Sequence, residues 1–199
     1  IQQEVQHFVD AAKRAKASKF DAIEIHAGHG YLISSFLSPA INKRTDEYGG
    51  TAEKRARLLV EIISQIKQQI EDFPVLVRLD ANEYRIENGI TPADFLITAS
   101  MAQEAGADAI DVSAYGNTSK GIAFTEAPLV HEPGGFLDFV KMAKKELTIP
   151  IIAVGRIELD LAEKGLKNNE FDFLAMGRKV LADPGLPNKV ISGQEHLIR

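Results

Sequence analysis

A six-residue word that recurs after amphipathic helices constrains the fold of this chain more than any other feature. Phe20-Asp21-Ala22-Ile23-Glu24-Ile25 returns as Ala107-Asp108-Ala109-Ile110-Asp111-Val112 and, more loosely, as Phe171-Asp172-Phe173-Leu174-Ala175-Met176. Each copy is short and β-prone, and each follows a stripe of helical period and a polar or glycine turn. Two further apolar runs, Val75-Leu76-Val77-Arg78-Leu79 and Ile149-Pro150-Ile151-Ile152-Ala153-Val154, follow helices of their own. The pattern predicts five strands, near 21–26, 75–80, 108–114, 150–155 and 172–177.

The intervening helices are marked by apolar residues at helical spacing. Ile1, Val5, Phe8, Val9 and Ala12 open the chain, and Ala56, Leu59, Val60, Ile63, Ile66 and Ile70 form the longest stripe. Thr91-Pro92 supplies an N-cap followed by proline at the first helical position. Phe136, Phe139, Val140, Ala143 and Leu147 mark another helix, with a shorter one expected over 158–166 and the start of the last over 187–192. Apolar strands alternating with helices argue an α/β protein built on a parallel sheet. An open doubly wound sheet and a TIM (β/α)8 barrel compete. Polar residues gather just after strands, at His26 and His29, Arg78, Gly155-Arg156 and Gly177-Arg178, which is where barrel enzymes build their sites. A whole barrel takes about 250 residues and eight strands. The expectation is therefore one partial TIM-barrel domain over 1–199, N-terminally truncated; the chain starts at Ile1 inside a helical pattern and reads as a piece of a longer one.

Composition narrows the partners. With 23 basic and 28 acidic residues the formal charge is −5, and no basic block is present, so neither nucleic acid nor an anionic membrane is an expected partner. There is no cysteine, which removes disulfides, thiolate metal sites and cysteine nucleophiles. No apolar run reaches the roughly 18 residues of a membrane span and no signal-peptide pattern opens the chain, so a cytoplasmic location with a small-molecule substrate is expected.

Three constellations could carry chemistry. His26 and His29 lie three residues apart in a glycine-containing turn, where both imidazoles could offer N–H groups to one oxygen. Tyr31 follows as a proton donor. Packing roles for one histidine and for Tyr31 remain the competing reading, and a metal site of Glu24, His26 and His29 is a weaker one. Gly28-His29-Gly30 lacks the third glycine of a dinucleotide fingerprint, Ile33 standing there instead. Gly155-Arg156 and Gly177-Arg178 close two consecutive strands and suit a phosphate, through close backbone approach and bidentate charge. Arg78, inside an apolar strand, either pairs with Asp80 or Glu24 or faces the barrel mouth to hold charge on an anionic cofactor ring. The polar run from Asn42 to Gly50 reads as a structural clamp.

The run His26-Ala27-Gly28-His29-Gly30-Tyr31-Leu32, then Phe36-Leu37-Ser38-Pro39, Asn42-Lys43-Arg44-Thr45-Asp46-Glu47-Tyr48-Gly49-Gly50 and Arg55-Ala56-Arg57, resembles the Old Yellow Enzyme family of FMN-dependent NAD(P)H oxidoreductases. The Arg78 strand, Val154-Gly155-Arg156, Ala175-Met176-Gly177-Arg178 and Leu181-Ala182-Asp183-Pro184 follow in the family's order. The resemblance covers essentially the whole chain and aligns it with the fourth to eighth barrel strands. It implies FMN as cofactor, NADH or NADPH as reductant, and an α,β-unsaturated carbonyl or related electrophile as substrate. It implies that His26 and His29 bond the activating oxygen, that Tyr31 delivers a proton to the alkene, that Arg78 contacts the FMN ring, and that Gly155, Arg156, Gly177 and Arg178 take the FMN phosphate or its approach. Without the first three strands the barrel would not close, so open edges favour a homo-oligomer, and the chain could carry the sites without the activity. Two alternatives stand beside this reading. One is another phosphate-binding barrel enzyme, an aldolase or isomerase, for which Lys43 and Lys120 are poorly placed lysines; the other is a non-catalytic truncated domain.

Overall fold

The computed structural model describes residues 1–116 and 132–199; Lys120 and His131 lie outside them. Helix α1 (Gln2–Ala17) leads into β1 (Ile23–Ala27), then α2 (Leu32–Leu37), α3 (Ala52–Gln69), β2 (Val75–Tyr84), α4 (Pro92–Glu104) and β3 (Ala109–Gly116). After the undescribed segment come α5 (Leu137–Glu146), β4 (Ile151–Ala153), α6 (Leu159–Lys167), β5 (Phe173–Leu174), α7 (Arg178–Ala182), α8 (Leu186–Ile191) and a 3-10 turn (Glu195–Leu197). The strands form one sheet in the order β1-β2-β3-β4-β5, and all four pairings are parallel. Sequential parallel order with a helix in every described crossover is the arrangement of a portion of a (β/α)8 barrel. No helix among the described residues is long and apolar enough to cross a membrane.

Period-two alternation sorts the strand residues onto two faces. Ile25, Ala27, Val75, Val77, Leu79, Ile110, Val112, Ile151 and Ala153 are at most 3% exposed and pack into the core shared with α1, α3, α4 and α5. The opposite face carries Glu24, His26, Leu76, Arg78, Asp111, Ser113 and Ile152. Register aligns His26 with Arg78, Arg78 with Asp111, Asp111 with Ile152 and Ile152 with Phe173, so one row of side chains crosses the whole sheet.

Two copies of the recurring word fix that register. Asp108, just before β3, accepts the Val75 N–H at 2.7 Å while its own N–H donates to the Val75 carbonyl, and Lys67 of α3 reaches the same carboxylate at 2.9 Å. Asp172, just before β5, repeats the device: it accepts the Ile151 N–H at 2.8 Å, donates to the Ile151 carbonyl, and holds Lys144 of α5 at 2.7 Å. A strand's first amide, which would otherwise be an orphan donor, is closed by the following strand.

The strand limits differ from the sequence expectation for local reasons. β2 runs on to Tyr84 through a register shift between Asp80 and Glu83, because β3 continues beside it to Gly116. β4 stops at Ala153 because Gly155 and Arg156 take left-handed backbone, with φ of 113° and 54°. Thr91 caps α4 as its sequence predicts, in a reciprocal capping box with Asp94. The polar run at 42–50 is held by Asn42, whose amide donates to the Phe36 and Tyr48 carbonyls at 2.7 Å each. Arg55, 5% exposed, then locks the segment by donating to the carbonyls of Leu37 and Gly50 and to the Asp94 carboxylate.

Urea denaturation tests both devices. Arg55→Ala, which leaves Asp94 and two carbonyls without their donor, is expected to cost about 3–5 kcal/mol, and Arg55→Lys to recover little because an ammonium cannot span the same fork. Asp108→Ala, which orphans the Val75 amide, is expected to cost about 1–3 kcal/mol.

Candidate functional site

The strand ends bring the predicted residues together in two groups. In the first, His26 leaves β1 in the row with Arg78, and the chain turns at once through Gly28, His29 and Gly30. The His26 and His29 rings meet edge to face with centroids 4.9 Å apart, and Tyr31 lies 5.3 Å from His26. Tyr31 is 64% exposed, so it is no core tyrosine; its ring is open to solvent beside His26.

His29 adopts φ of 60°, a left-handed conformation that costs an L residue roughly 1–2 kcal/mol. What holds it there is Asp80 of β2. The Asp80 Oδ2 accepts the His29 backbone N–H at 2.6 Å and the Ser34 hydroxyl at 3.4 Å. A Cβ on Gly28 would come within 2.8 Å of Asp80 Oδ1, so glycine is what lets the carboxyl seat under the turn. Ser113 of β3 meets the ring itself, its Oγ 2.8 Å from His29 Nε2. Gly30 turns with φ of 75° against the Tyr115 hydroxyl, 3.1 Å from where a Cβ would sit.

Burial governs the charges. It raises the Asp80 carboxyl to about 7, against the lowering pull of the His29 amide and with Glu83 adding to the rise. It lowers His29 to about 4, helped by Arg78 and His26, so this imidazole is neutral at physiological pH. Glu24 is also raised by desolvation, with Arg78 pulling the other way. The ion pair of Arg78 runs to Asp111 on β3, 3.2 Å away and in the same register row, rather than to the Asp80 or Glu24 that spacing along the chain proposed. A parallel neighbour thus supplies the partner, and the guanidinium stays on the site face beside His26.

The second group surrounds a cavity of about 290 Å³ at the ends of β4 and β5, lined by Val154, Gly155, Arg156, Ala175, Gly177 and Arg178 among others. Gly155 and Arg156 turn the backbone with positive φ, and a Cβ built on Gly177 meets nothing within 4 Å. Both glycine–arginine pairs therefore border one open concavity, as their equivalent places at consecutive strand ends suggested. Among the described residues no group of three His, Asp or Glu side chains is arranged to hold a metal ion.

Sequence reasoning passed over Asp111, Ser113 and Glu83, and treated Asp80 only as an ion-pair partner. A signal was present. Glu24-x-His26, Arg78-x-Asp80 and Asp111-x-Ser113 are polar pairs spaced by two on three consecutive apolar strands, which puts all six on one face of the sheet at its C-terminal end. Glu83, 4% exposed, accepts the Ser38 hydroxyl at 2.6 Å and the Ile90 N–H at 2.8 Å, and so joins α2 to the entry of α4 beneath the site.

The chain is similar to known proteins over nearly all of its length. The model of the NADH:flavin oxidoreductase / NADH oxidase family matches residues 1–196. A NADH oxidase of Thermoanaerobacter brockii is 41% identical over 100% of this chain, which spans 30% of that protein. A NADPH dehydrogenase of Bacillus subtilis is 41% identical over 92% of the chain, which spans 52% of it. Among solved structures, a 2-naphthoyl-CoA reductase in complex with 2-naphthoyl-CoA superposes with a TM-score of 0.90 at 33% identity, over 99% of this chain and 30% of that one. The chain belongs to the NADH:flavin oxidoreductase / NADH oxidase family, the relatives of Old Yellow Enzyme, and forms a portion of their barrel.

Proposed function

We propose that this chain carries the phosphate-binding and oxygen-binding parts of the site of an FMN-dependent NAD(P)H oxidoreductase that reduces α,β-unsaturated carbonyl compounds or related electrophiles. The family implies FMN, with NAD(P)H as reductant. The residues present fit that group: the 290 Å³ concavity combines two arginines with glycine backbone open to close approach, the donor set a phosphate monoester requires. The observation that carries the reading is the register row His26–Arg78–Asp111, with His29 and Tyr31 grouped at its end. A cation and one imidazole thereby share one face of adjacent strands, and the second imidazole meets the first from the turn after β1.

When bound, FMN supplies reversible hydride chemistry between NAD(P)H and an electron-poor alkene. The chain's own groups bind, orient and move protons around it. Arg156 and Arg178, with the amides around Gly155 and Gly177, hold the phosphate. Arg78, steadied by Asp111, keeps a positive charge beside the ring. His26 and His29 direct N–H groups at the substrate's carbonyl oxygen and stabilise the negative charge that grows there. The exposed phenol of Tyr31 gives a proton to the alkene carbon opposite the hydride. Because His29 is neutral, it acts through a single N–H rather than as an imidazolium.

The aldolase or isomerase reading draws no support from the lysine it would need. Lys43 is exposed, with its ammonium on the Pro39 carbonyl at 2.8 Å, and Lys120 lies outside the described residues.

Titration of the chain with FMN, followed by quenching of flavin fluorescence, tests the reading. Saturable binding is expected, weakened about tenfold or more by Arg178→Ala, since a lost charge-assisted contact is worth about 1.5–3 kcal/mol. Absence of saturation, or binding indifferent to both Arg156→Ala and Arg178→Ala, overturns the phosphate assignment. In flavin-loaded protein, the His26→Ala/His29→Ala double variant is expected to lose about 10²–10³ in the rate of enone reduction, as loss of an oxyanion donor does. Unchanged turnover would remove the histidines from the reaction.

A further inference from the structure

His29 is gripped more closely than a ligand for an oxygen atom needs to be. Asp80, 2% exposed, touches it twice, through Oδ2 on the backbone amide at 2.6 Å and through Oδ1 at 3.6 Å from ring Nε2. That Oδ1 is buried and has no hydrogen-bond partner among the described residues. From the neighbouring strand Ser113, 0% exposed, brings its hydroxyl to 2.8 Å from the same Nε2. One ring nitrogen is flanked by a carboxyl and a hydroxyl inside the sheet, and Nδ1 is the nitrogen left for a ligand.

The geometry points to Asp80 and Ser113 as positioning residues that set the tautomer of His29 and thereby decide whether its Nδ1 donates a hydrogen bond to a bound oxygen. This rests on the reading of His26 and His29 as the oxygen-binding pair. A neutral imidazole has one N–H and one acceptor nitrogen. With Asp80 protonated, the Ser113 hydroxyl donates to Nε2 and the ring proton sits on Nδ1, facing the ligand. With Asp80 ionised, the carboxylate draws the ring proton to Nε2, and Nδ1 turns into an acceptor that repels a carbonyl oxygen. Burial holds the Asp80 proton to about 7 and keeps His29 unprotonated down to about 4, so the exchange falls near neutrality without an imidazolium. The donor tautomer belongs to the side below neutrality and is lost as pH rises through it. Among the described residues, the charged and titratable groups facing this pair are Glu24 and His26 from β1, Tyr31 from the turn, Arg78 and Glu83 from β2, and Asp111 and Tyr115 from β3, with the Ser34 hydroxyl contributed by α2.

Long-range ¹H–¹⁵N spectra of the chain labelled at histidine read the tautomer directly, because protonated and unprotonated ring nitrogens differ widely in shift. His29 is expected as Nδ1–H below neutrality and to move to Nε2–H above it. Asp80→Asn keeps an oxygen for the His29 amide and turns its NH₂ toward Nε2, so it is expected to hold the Nδ1–H form at every pH. Glu83→Gln neutralises the other buried carboxyl of β2 and is expected to retain the exchange. Ser113→Ala removes the hydroxyl donor and is expected to mix the tautomers below neutrality. A wild-type tautomer that does not change with pH overturns the proposal, as does an exchange that survives Asp80→Asn. If Asp80→Asn does not fold, an unmixed tautomer in Ser113→Ala overturns it instead.

2-Cyclohexenone, whose carbonyl oxygen can only accept, serves as the oxygen ligand in a parallel titration. Its affinity for the wild-type chain is expected to fall about tenfold per pH unit above neutrality, as the competent fraction falls, and to be flat in Asp80→Asn. Enone that binds nowhere while the tautomer exchange persists defeats the oxygen-binding reading and leaves the role of Asp80 and Ser113 standing. Enone that binds with the same affinity across neutrality, while the tautomer moves, defeats the coupling to the ligand.

Discussion

The carboxylates of Asp108 and Asp172, each closing on the first amide of the strand before it, hold the register on which the site depends. In a parallel sheet a slip of one residue sends every side chain to the opposite face. Here such a slip would move Arg78 from beside His26 into the helix-packed core and part it from Asp111. Both aspartates bond the same residue twice, through the side chain and the backbone amide, and both draw a lysine from the helix preceding the strand they close. Helix, strand and following strand are tied at one point, at the N-terminal end of the strands. The opposite end of the same strands is thereby free to carry groups that do not help the fold, which is the division of labour expected of barrel strands.

The cost of those groups is visible in their burial. Asp80, Glu83, Asp111 and Arg78 sit on or near one face, and the first three are at most 4% exposed. Desolvation dominates the titration of Asp80, His29 and Glu24 alike. A core assembled only for stability would replace such groups with apolar ones of similar size. The helix-facing side of the same strands does so without exception, from Ile25 through Val77 and Val112 to Ile151. Stability and chemistry are therefore assigned to the two faces of one sheet, and the alternation of the backbone keeps them apart.

That assignment was partly legible in the sequence. The recurring word marked β1, β3 and β5 and, through Asp108 and Asp172, contained the register device, although nothing along the chain says that the aspartate answers the amide of a different strand. Thr91-Pro92 announced α4 because a cap is a local matter. The glycine–arginine pairs announced a shared concavity because equivalent places on consecutive parallel strands are neighbours. The partner of Arg78 was not legible, since Asp80 and Glu24 are close in sequence or chemistry while Asp111 is close only once the strands are in register. The short α2 and α7 were missed for a related reason: six and five residues give too few turns for a periodic stripe. The end of β4 depended on the backbone angles at Gly155 and Arg156, which residue identity only permits.

The two histidines show what spacing alone cannot distinguish. Three residues apart in a glycine turn, they look interchangeable, yet they come from different physical situations. His26 is a strand residue whose direction is fixed by the pleat and whose neighbour in register is a guanidinium. His29 is a turn residue in left-handed backbone, held there by a buried carboxyl from β2 and fixed at its ring by a hydroxyl from β3. Its position is thus dictated by side chains that lie 51 and 84 residues further along the chain. A left-handed residue persists only where its surroundings over-determine it, and here those surroundings are also the groups that decide where the ring proton resides. Placement and protonation of His29 are in this sense one problem, solved by the same two residues, whereas His26 obtains its placement from the strand and its electrostatic surroundings from Arg78.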